Sequence, residues 1–395
     1  MNKAGFLFDF YLSEMSVSDF HGGGLTIQRI LGEDIDKIDL FAHVSRFATD
    51  LPANEKILSR CFNLSVPWES NAVKRIIGST MTSRLSRNGI LLKKRAAISA
   101  NVLHKKLGKS KEDVRALVCP QGINALLTME ELKKRRPVRY VSWVMDDHLV
   151  RWTNGKWNYS AGVKEIFGKH LREAKHVFVI SSVMQEFYLK TFAVKSTVLF
   201  GSSDSENEDI QPAINPNSTL KLGYFGAVAE WQLDALEAVG KALTAANAQL
   251  DIYSGVIKLP IELHQKGIFF KGKLKPDEVL PTMRAYDAIL LPMSFRSKLR
   301  NMSEFNIATK LSECLASGIP TIAVGPEYAA MIQFLKIHDA AIISTSEVAQ
   351  DIAKSLEILR DRETITSILN NAHYLVKHHL GSAPMRAKWS AFSNI

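Results

Sequence analysis

The sequence MSEFNIATKLSECLASGIPTIAV, Met302 to Val324, reads in succession as a loop, a helix, a firm stop and a buried strand. Ile307, Leu311, Cys314 and Leu315 recur at i, i+4, i+7 and i+8, the apolar stripe of a helix from about Asn306 to Ser317. Asn306, Lys310, Glu313 and Ser317 fall on the adjacent stripe, so one edge of this helix is polar where its neighbour is core. Gly318 suits the left-handed residue after a helix end and Pro320 forbids continuation.

Outward from this unit the same alternation of strand and helix runs through the chain. Upstream lie a strand at Leu220 to Phe225, a helix at Leu233 to Ala246, strands at Leu250 to Tyr253 and Ile268 to Phe270, a helix at Pro276 to Ala285 and a strand at Ala288 to Pro292. Helices from Ser346 to Leu359 and Glu363 to His378 follow. Earlier still, strand character appears at Gly5 to Tyr11, Ala116 to Cys119, Arg139 to Met145, Val177 to Ser181 and Thr197 to Phe200, with a helix at Val183 to Phe192. Gly22 to Gly24 reads as a glycine-rich loop before a helical Leu25 to Leu31. This is the rhythm of βα units and parallel sheets. Between Gly201 and Thr219, GSSDSENEDIQPAINPNST has linker chemistry. We therefore expect a Rossmann-like domain over 1–205, a linker over 206–219, a second Rossmann-like domain over 220–380, and a tail, 381–395, packing back on the first domain. Such an arrangement opens a cleft at the carboxyl ends of both sheets, where ligands bind.

Composition leaves the common exotic classes out. The chain has 395 residues, 46% apolar and 23% charged, which suits two globular domains and excludes disordered and collagen-like chains. Its three cysteines, Cys61, Cys119 and Cys314, are far apart and spell neither a disulfide framework nor a zinc site. Met1 to Leu12 is too short and too polar for a signal peptide or a spanning helix, so a cytoplasmic protein is expected, docking on a membrane from its inner face if at all. The net charge of +10 is uneven: residues 1–200 hold 31 Lys and Arg against 19 Asp and Glu, while the remainder hold 19 against 21. Between Lys74 and Arg136, 16 basic residues face four acidic ones, a field that attracts an anion. No G-x-x-x-x-G-K-[ST], G-x-G-x-x-G or G-x-S-x-G is present, so nucleotide hydrolysis, dinucleotide redox chemistry and an esterase elbow lack their anchors.

A ligand with a diphosphate and a ribose would use the polar edge of the Asn306 helix well. Backbone N–H groups at its start would meet phosphate, Lys310 adds a point charge, and Glu313 can accept two ribose hydroxyls. The same spacing equally suits an exposed Lys/Glu pair. The order Lys310, Glu313, Ala316, Gly318, Pro320, K-x-x-E-x-x-A-x-G-x-P, resembles the donor-site signature of GT-B glycosyltransferases, notably glycosyltransferase family 4. Leu222 to Gly226 looks like the strand and glycine turn that open that family's C-terminal domain, and Ile268 to Pro292 like its strand, glycine, helix and D-x-x-L-x-P segment. In the first half, Glu173 to Phe192 resembles the family's A-D-x-V-x-x-x-S element, and Gly22 to Gly24 sits where it keeps a glycine loop after the first strand. The likeness is strong over 220–330 and weak over 30–130.

The resemblance implies a GT-B fold, α/β, with two Rossmann-like domains facing a central cleft. It also implies a retaining, metal-independent hexosyl- or deoxyhexosyltransferase that uses a nucleotide diphosphate sugar, needs no cofactor, and builds polysaccharide or cell-surface glycan on a glycan or lipid-linked acceptor. Gly226, Lys310 and Glu313 would hold the donor, with Gly23 and Gly24 near the diphosphate. Departures bear on the phosphate clamp: Ala227 follows Gly226 where the family commonly has Arg, and Glu304 stands one position from where its first paired glutamate belongs. Arg296, Lys298, Arg300 and Lys310 are the candidate replacements.

Asp146, Asp147 and His148 end an apolar strand in the first domain. A D-x-D-like metal motif is rejected, since the downstream pattern is GT-B. Asp147 or His148 would instead stabilise the reacting sugar, although a loop Asp pair capping the next element explains the residues as well. Arg84 to Arg115 interleaves basic and apolar residues as an amphipathic helix suited to an anionic membrane surface. Nucleic acid is a poorer partner for want of aromatic residues there. The altered clamp keeps one alternative open: a non-catalytic GT-B subunit of a glycan-assembly complex.

Overall fold

The computed structural model describes residues 7–18, 22–44, 55–108, 113–204 and 218–391. By packing, the chain divides into two compact units, Met1–Val150 with Trp157–Phe200 and Arg386–Ile395, and Arg151–Lys156 with Gly201–Met385.

The first unit runs β1 (Phe8–Ser13), α1 (Gly22–Leu31), β2 (Ile38–His43), α2 (Glu55–Leu58), β3 (Cys61–Asn63), α3 (Asn71–Arg87), α4 (Gly89–Lys106), β4 (Val114–Cys119), α5 (Ile123–Lys133), β5 (Val138–Val144), β6 (Val150–Thr153), β7 (Lys156–Tyr159), α6 (Val163–Glu173), β8 (His176–Val179), α7 (Ser182–Phe192) and β9 (Thr197–Val198), except that Arg151–Lys156, most of β6 and its turn into β7, group with the second unit. Its seven-stranded sheet has the order β3-β2-β1-β4-β5-β8-β9 with every pair parallel. Phe10 lies opposite Ala116, and Leu117 opposite Val141. Burial on both faces is why β1 and β5 read as near-continuous apolar runs rather than alternating ones. One face packs Phe10, Leu12, Ala116 and Val118 against Leu103 of α4 and Met129 of α5. Strands β6 and β7 form a separate two-stranded sheet, turned by Asn154 and Gly155 with φ of 53° and 72°, the signature of a tight hairpin. Trp389, from the C-terminal segment, is 1% exposed and lies with its ring centroid 6.0 Å from Phe8 and 5.7 Å from Phe178. Its Nε1–H donates to Asp34 at 3.1 Å.

The second unit runs β10 (Leu220–Phe225), α8 (Glu230–Ala242), β11 (Ala248–Tyr253), β12 (Ile268–Gly272), α9 (Pro276–Met283), β13 (Ala288–Pro292), α10 (Arg300–Phe305), α11 (Leu311–Ala316), β14 (Thr321–Val324), α12 (Ala330–Ile337), β15 (Ile342–Ser344), α13 (Ala349–Glu357) and α14 (Arg362–Leu375). A last helix, α15 (Ser382–Ser390), starts here and ends in the residues grouped with the first unit. The six strands order as β12-β11-β10-β13-β14-β15, again all parallel. Leu222, Leu250, Leu290 and Ile322 of the sheet bury against Leu236 and Val239 of α8 and Ile352 and Leu356 of α13.

Three expectations need correction. The helix read from Asn306 to Ser317 is two short helices, α10 and α11, with 306–310 non-helical between them, so Asn306 follows one helix and Lys310 precedes the other. Gly318, at φ 74°, does take the left-handed position after α11. Gly22 to Gly24 form the first turn of α1 rather than a loop. The basic stretch Arg84 to Arg115 is not one helix: it spans the end of α3, all of α4 and the start of β4, and its Arg95 is buried in an ion pair with Glu69 at 2.9 Å. The expected linker, 206–219, lies almost wholly outside the described residues.

Candidate functional site

In each sheet the strand order reverses at one place, between β1 and β4 in the first unit and between β10 and β13 in the second, and open α/β sheets take ligands outside the carboxyl ends at such a reversal. The loops at these two places therefore hold the candidate sites.

In the first unit β1 delivers Glu14 to the start of α5. Its Oε1 accepts from the Ala125 amide at 2.8 Å and its Oε2 from the Gln121 amide at 3.0 Å, so the carboxylate satisfies amides at a helix start that would otherwise be orphaned. Burial raises the Glu14 carboxyl above its ordinary range, against the pull of those amides. Beside it a cavity of about 240 Å³ is lined by Glu14, Gln121, Asn124 and His148 among others. Gln121 donates through Nε2 to Asp146 at 3.0 Å, and burial raises the Asp146 carboxyl while His148 opposes the rise. His43, at the end of β2, is 1% exposed and donates Nδ1–H to the Met15 carbonyl at 3.0 Å; burial lowers it to about 4, so it is neutral near pH 7. His148 is exposed at the cavity wall, its amide donating to the Gln121 carbonyl at 3.3 Å.

Asp147, by contrast, faces inward and is 2% exposed. Its Oδ1 accepts from the Leu149 and Val150 amides at 2.9 and 3.1 Å, and its Oδ2 from the Tyr159 and Tyr188 hydroxyls at 2.9 and 3.1 Å. Four donors fill a carboxylate's acceptor capacity, so the residue read as contacting the sugar is instead the post on which the hairpin and α7 are hung. Burial raises its carboxyl, and the four donors pull the other way. Gly23 and Gly24 also answer to the chain itself. A Cβ on Gly24 would lie 2.5 Å from both the amide nitrogen and the carbonyl oxygen of Ser18, and one on Gly23 would lie 2.3 Å from the Met15 methyl carbon. Close backbone approach accounts for Gly24, with no need of a diphosphate.

In the second unit the loops after β10, β13 and β14 are tied together. The Gly226 amide donates to the Tyr253 carbonyl at 3.0 Å, and the Tyr224 hydroxyl to the Ala227 carbonyl at 2.6 Å. A Cβ on Gly226 would lie 2.7 Å from that hydroxyl, which is why glycine stands there. The Phe295 amide donates to Asp234 at 2.8 Å, and the Ser294 amide to the Trp231 carbonyl at 3.0 Å, binding the β13 loop to α8. Of the candidate phosphate ligands, Arg300 is committed: its Nε donates to Glu304, and its guanidinium lies 4.2 Å from the Tyr328 ring centroid and 3.8 Å from that of Trp152. Glu304 is thereby paired within its own helix. Lys298 lies 3.6 Å from Glu230 at the surface. Arg296 and Lys310 are half-buried, and among the described residues neither has a carboxylate partner. Lys310 caps α11 and Glu313 sits in its first turn, both half-buried. At six residues α11 carries little dipole, so what this place offers an anion is the Lys310 charge more than the helix start expected from sequence.

The sequence reading passes over Glu14 and Gln121. The available signal is position alone, an acid directly after the first strand. Among the described residues no group of three His, Cys, Asp or Glu side chains is placed to hold a metal ion.

No protein-family model and no curated protein sequence matches the chain. Solved structures do. Sucrose-phosphate synthase from Thermosynechococcus elongatus is 13% identical with a TM-score of 0.67, matching 97% of this chain and 97% of that one. A glycosyltransferase from Rickettsia africae is 12% identical with a TM-score of 0.65, matching 98% of each. HepE of Anabaena, solved with UDP and glucose, is 13% identical with a TM-score of 0.62, matching 97% of this chain and 98% of that one. With two parallel α/β sheets and this likeness along nearly its whole length, the chain has the GT-B fold.

Proposed function

We propose that the chain is a glycosyltransferase that moves a hexose or deoxyhexose from a nucleoside diphosphate sugar to a glycan or lipid-linked acceptor, with retention and without a metal. The observation that carries this reading is the set of half-buried charges at the second unit's strand reversal: Arg296 and Lys310, without carboxylate partners among the described residues, and Glu313 one helical turn from Lys310. Two cations suit the diphosphate, whose negative charge grows as the bond from the anomeric carbon to phosphate oxygen breaks, and a half-buried carboxylate suits two ribose hydroxyls. The acceptor oxygen bonds to the anomeric carbon and its proton leaves with the departing phosphate or to water. Glu14, Gln121 and His148, with Val44 and Ile123, line a cavity in the first unit of a size for one sugar ring. The full-length likeness to a protein solved with UDP and glucose supports the donor class.

Thermal-shift titration with UDP, GDP, dTDP, CDP, ADP and their sugars tests it. A ligand at about 100 times its Kd adds roughly 2.7 kcal/mol. One diphosphate is expected to shift the transition selectively, and Glu313→Ala to weaken it by roughly 10- to 100-fold, the worth of hydrogen bonds to a charged group. No shift with any of them, or a shift untouched in Glu313→Ala, overturns the donor assignment. A second reading, a non-catalytic GT-B subunit, is favoured by one observation: Glu304 is tied up by Arg300. Turnover with a matched acceptor dismisses it.

A further inference from the structure

Between Ser70 and Lys111 the chain has eleven Lys and Arg and no Asp or Glu. The nearest acid upstream, Glu69, is buried against Arg95 and adds nothing to the outer field. This stretch builds α3 and α4, which meet at Asn88. Helix α4 turns Ala100 and Leu103 into the core and sends Lys93, Lys94 and Lys105 into solvent. Helix α3 is bound far less: among its described side chains Thr82 is the buried one, and Gly78, at φ 79°, interrupts its helical backbone. Yet α3 and the start of α4 expose large aliphatic residues, Ile76 at 82%, Ile77 at 38%, Met81 at 47% and Ile90 at 79%, beside exposed Arg75 and Arg84. Isolated exposed leucines or isoleucines need no explanation, but four within one acid-free basic stretch do.

We infer that the exposed side of α3 and the start of α4 is a docking surface for an anionic lipid bilayer. Lysine and arginine bind the headgroup charge, and the exposed Ile76, Ile77, Met81 and Ile90 enter the boundary between headgroups and chains. The apolar residues decide the occupant. A nucleic acid backbone would use the same cations but gives four exposed aliphatic side chains nothing, and residues 71–108 contain no Phe, Tyr or Trp on which a base could stack. The surface thus differs from the Arg84 to Arg115 helix expected from sequence, because its apolar part lies mostly before Arg84 and Arg95 is turned inward. No helix among the described residues is long and apolar enough to cross a membrane, so attachment here is to the surface. The inference is independent of sugar transfer. Joined to that reading it narrows the acceptor to one carried on a lipid.

The test is co-sedimentation of the full chain with phosphatidylcholine vesicles, with and without about 30% phosphatidylglycerol, at low salt. The chain is expected on the anionic vesicles and not on the neutral ones. At about fivefold per neutralised charge, K93Q/K94Q is expected to bind roughly 30-fold more weakly. I76S/I90S is expected to lose about tenfold on vesicles and nothing on a random single-stranded oligonucleotide. All four residues are exposed, so unchanged thermal unfolding is the control that the variants fold. No retention on anionic vesicles overturns the proposal. So does vesicle binding indifferent to I76S/I90S, or oligonucleotide binding as tight as vesicle binding. The donor titration above reads a different unit, so failure of either leaves the other standing.

Discussion

Replacing Asp147 separates a structural post from a catalytic acid. In Asp147→Ala, two backbone amides and two phenols lose the acceptor they share, all four within 2.9 to 3.1 Å in the native chain. Each buried donor left unpaired costs about 1 to 3 kcal/mol. The total is less than their sum, because the variant also escapes the cost of burying a carboxylate and the exposed edge of the hairpin admits water. We expect a net loss of about 3 to 5 kcal/mol, amplified by the packing it unseats. The Tyr159 and Tyr188 rings stand in one aromatic cluster with Phe167 and Phe192, at centroid separations of 5.6 to 6.2 Å. Asp147→Asn keeps Oδ1 for both amides, and the phenols can rotate to accept from its amide, so about 1 to 2 kcal/mol is expected. Urea unfolding followed by the near-ultraviolet signal, to which the buried Trp143 and Trp389 of the first unit contribute, measures the loss. A catalytic Asp147 predicts the reverse pattern: turnover abolished with stability unchanged, since active-site charges are held at a cost to the fold. An Asp147→Ala protein within about 0.5 kcal/mol of the native chain refutes the structural assignment.

Two further perturbations follow from buried charge and buried imidazole. Arg95→Ala strands Glu69, which is 0% exposed, and should cost about 3 to 5 kcal/mol in urea unfolding, whereas Glu69→Gln with Arg95→Met together should recover most of the loss; a single variant as stable as the double would contradict the pairing. His43 is held down to about 4 by burial against about 6.5 in the unfolded chain, so below pH 6.5 the unfolded state binds the extra proton. Stability should therefore fall as pH drops from 6.5 toward 4, by about 3 kcal/mol from this residue, and the slope in that window should flatten in His43→Asn, which retains a donor for the Met15 carbonyl. Equal slopes in the two proteins would remove His43 as the cause.

How much of this was legible depended on what each residue answers to. The two sheets were visible because parallel strands buried on both faces leave near-continuous apolar runs, FDFYLS, LKLGYF, AILLP and TIAV, broken by a single charge, Asp9 or Lys221, in the first two. The hairpin of β6 and β7 was equally readable from Asn154-Gly155 between two tryptophans, a signal of turn chemistry that the search for βα units overlooks. The helix at Asn306 misled for the opposite reason. Periodicity counts spacing, and 306–310 holds the spacing of a helix while its backbone does not, so a stripe shared by four polar residues was partly coincidence.

Polar residues near strand ends pose the harder problem, because residue type and position are the same whether a group faces a ligand or its own chain. Asp147, Glu304, Arg300 and Gly24 all stand where a substrate site would put them. Tyr159 and Tyr188 reach Asp147 from 12 and 41 residues away, and Ser18 crowds Gly24 from the loop before it, distances in sequence over which no motif speaks. Once the chain's own donors and acceptors are matched, those four are consumed. Arg296 and Lys310 in one unit, and the exposed His148 at the cavity wall in the other, still offer polar groups outward. A buried or half-buried charge costs the fold unless something answers it, so charges without a partner among the described residues are the candidates for meeting a ligand. That residue of the matching, rather than any motif taken alone, is the ground for placing a diphosphate against Arg296 and Lys310.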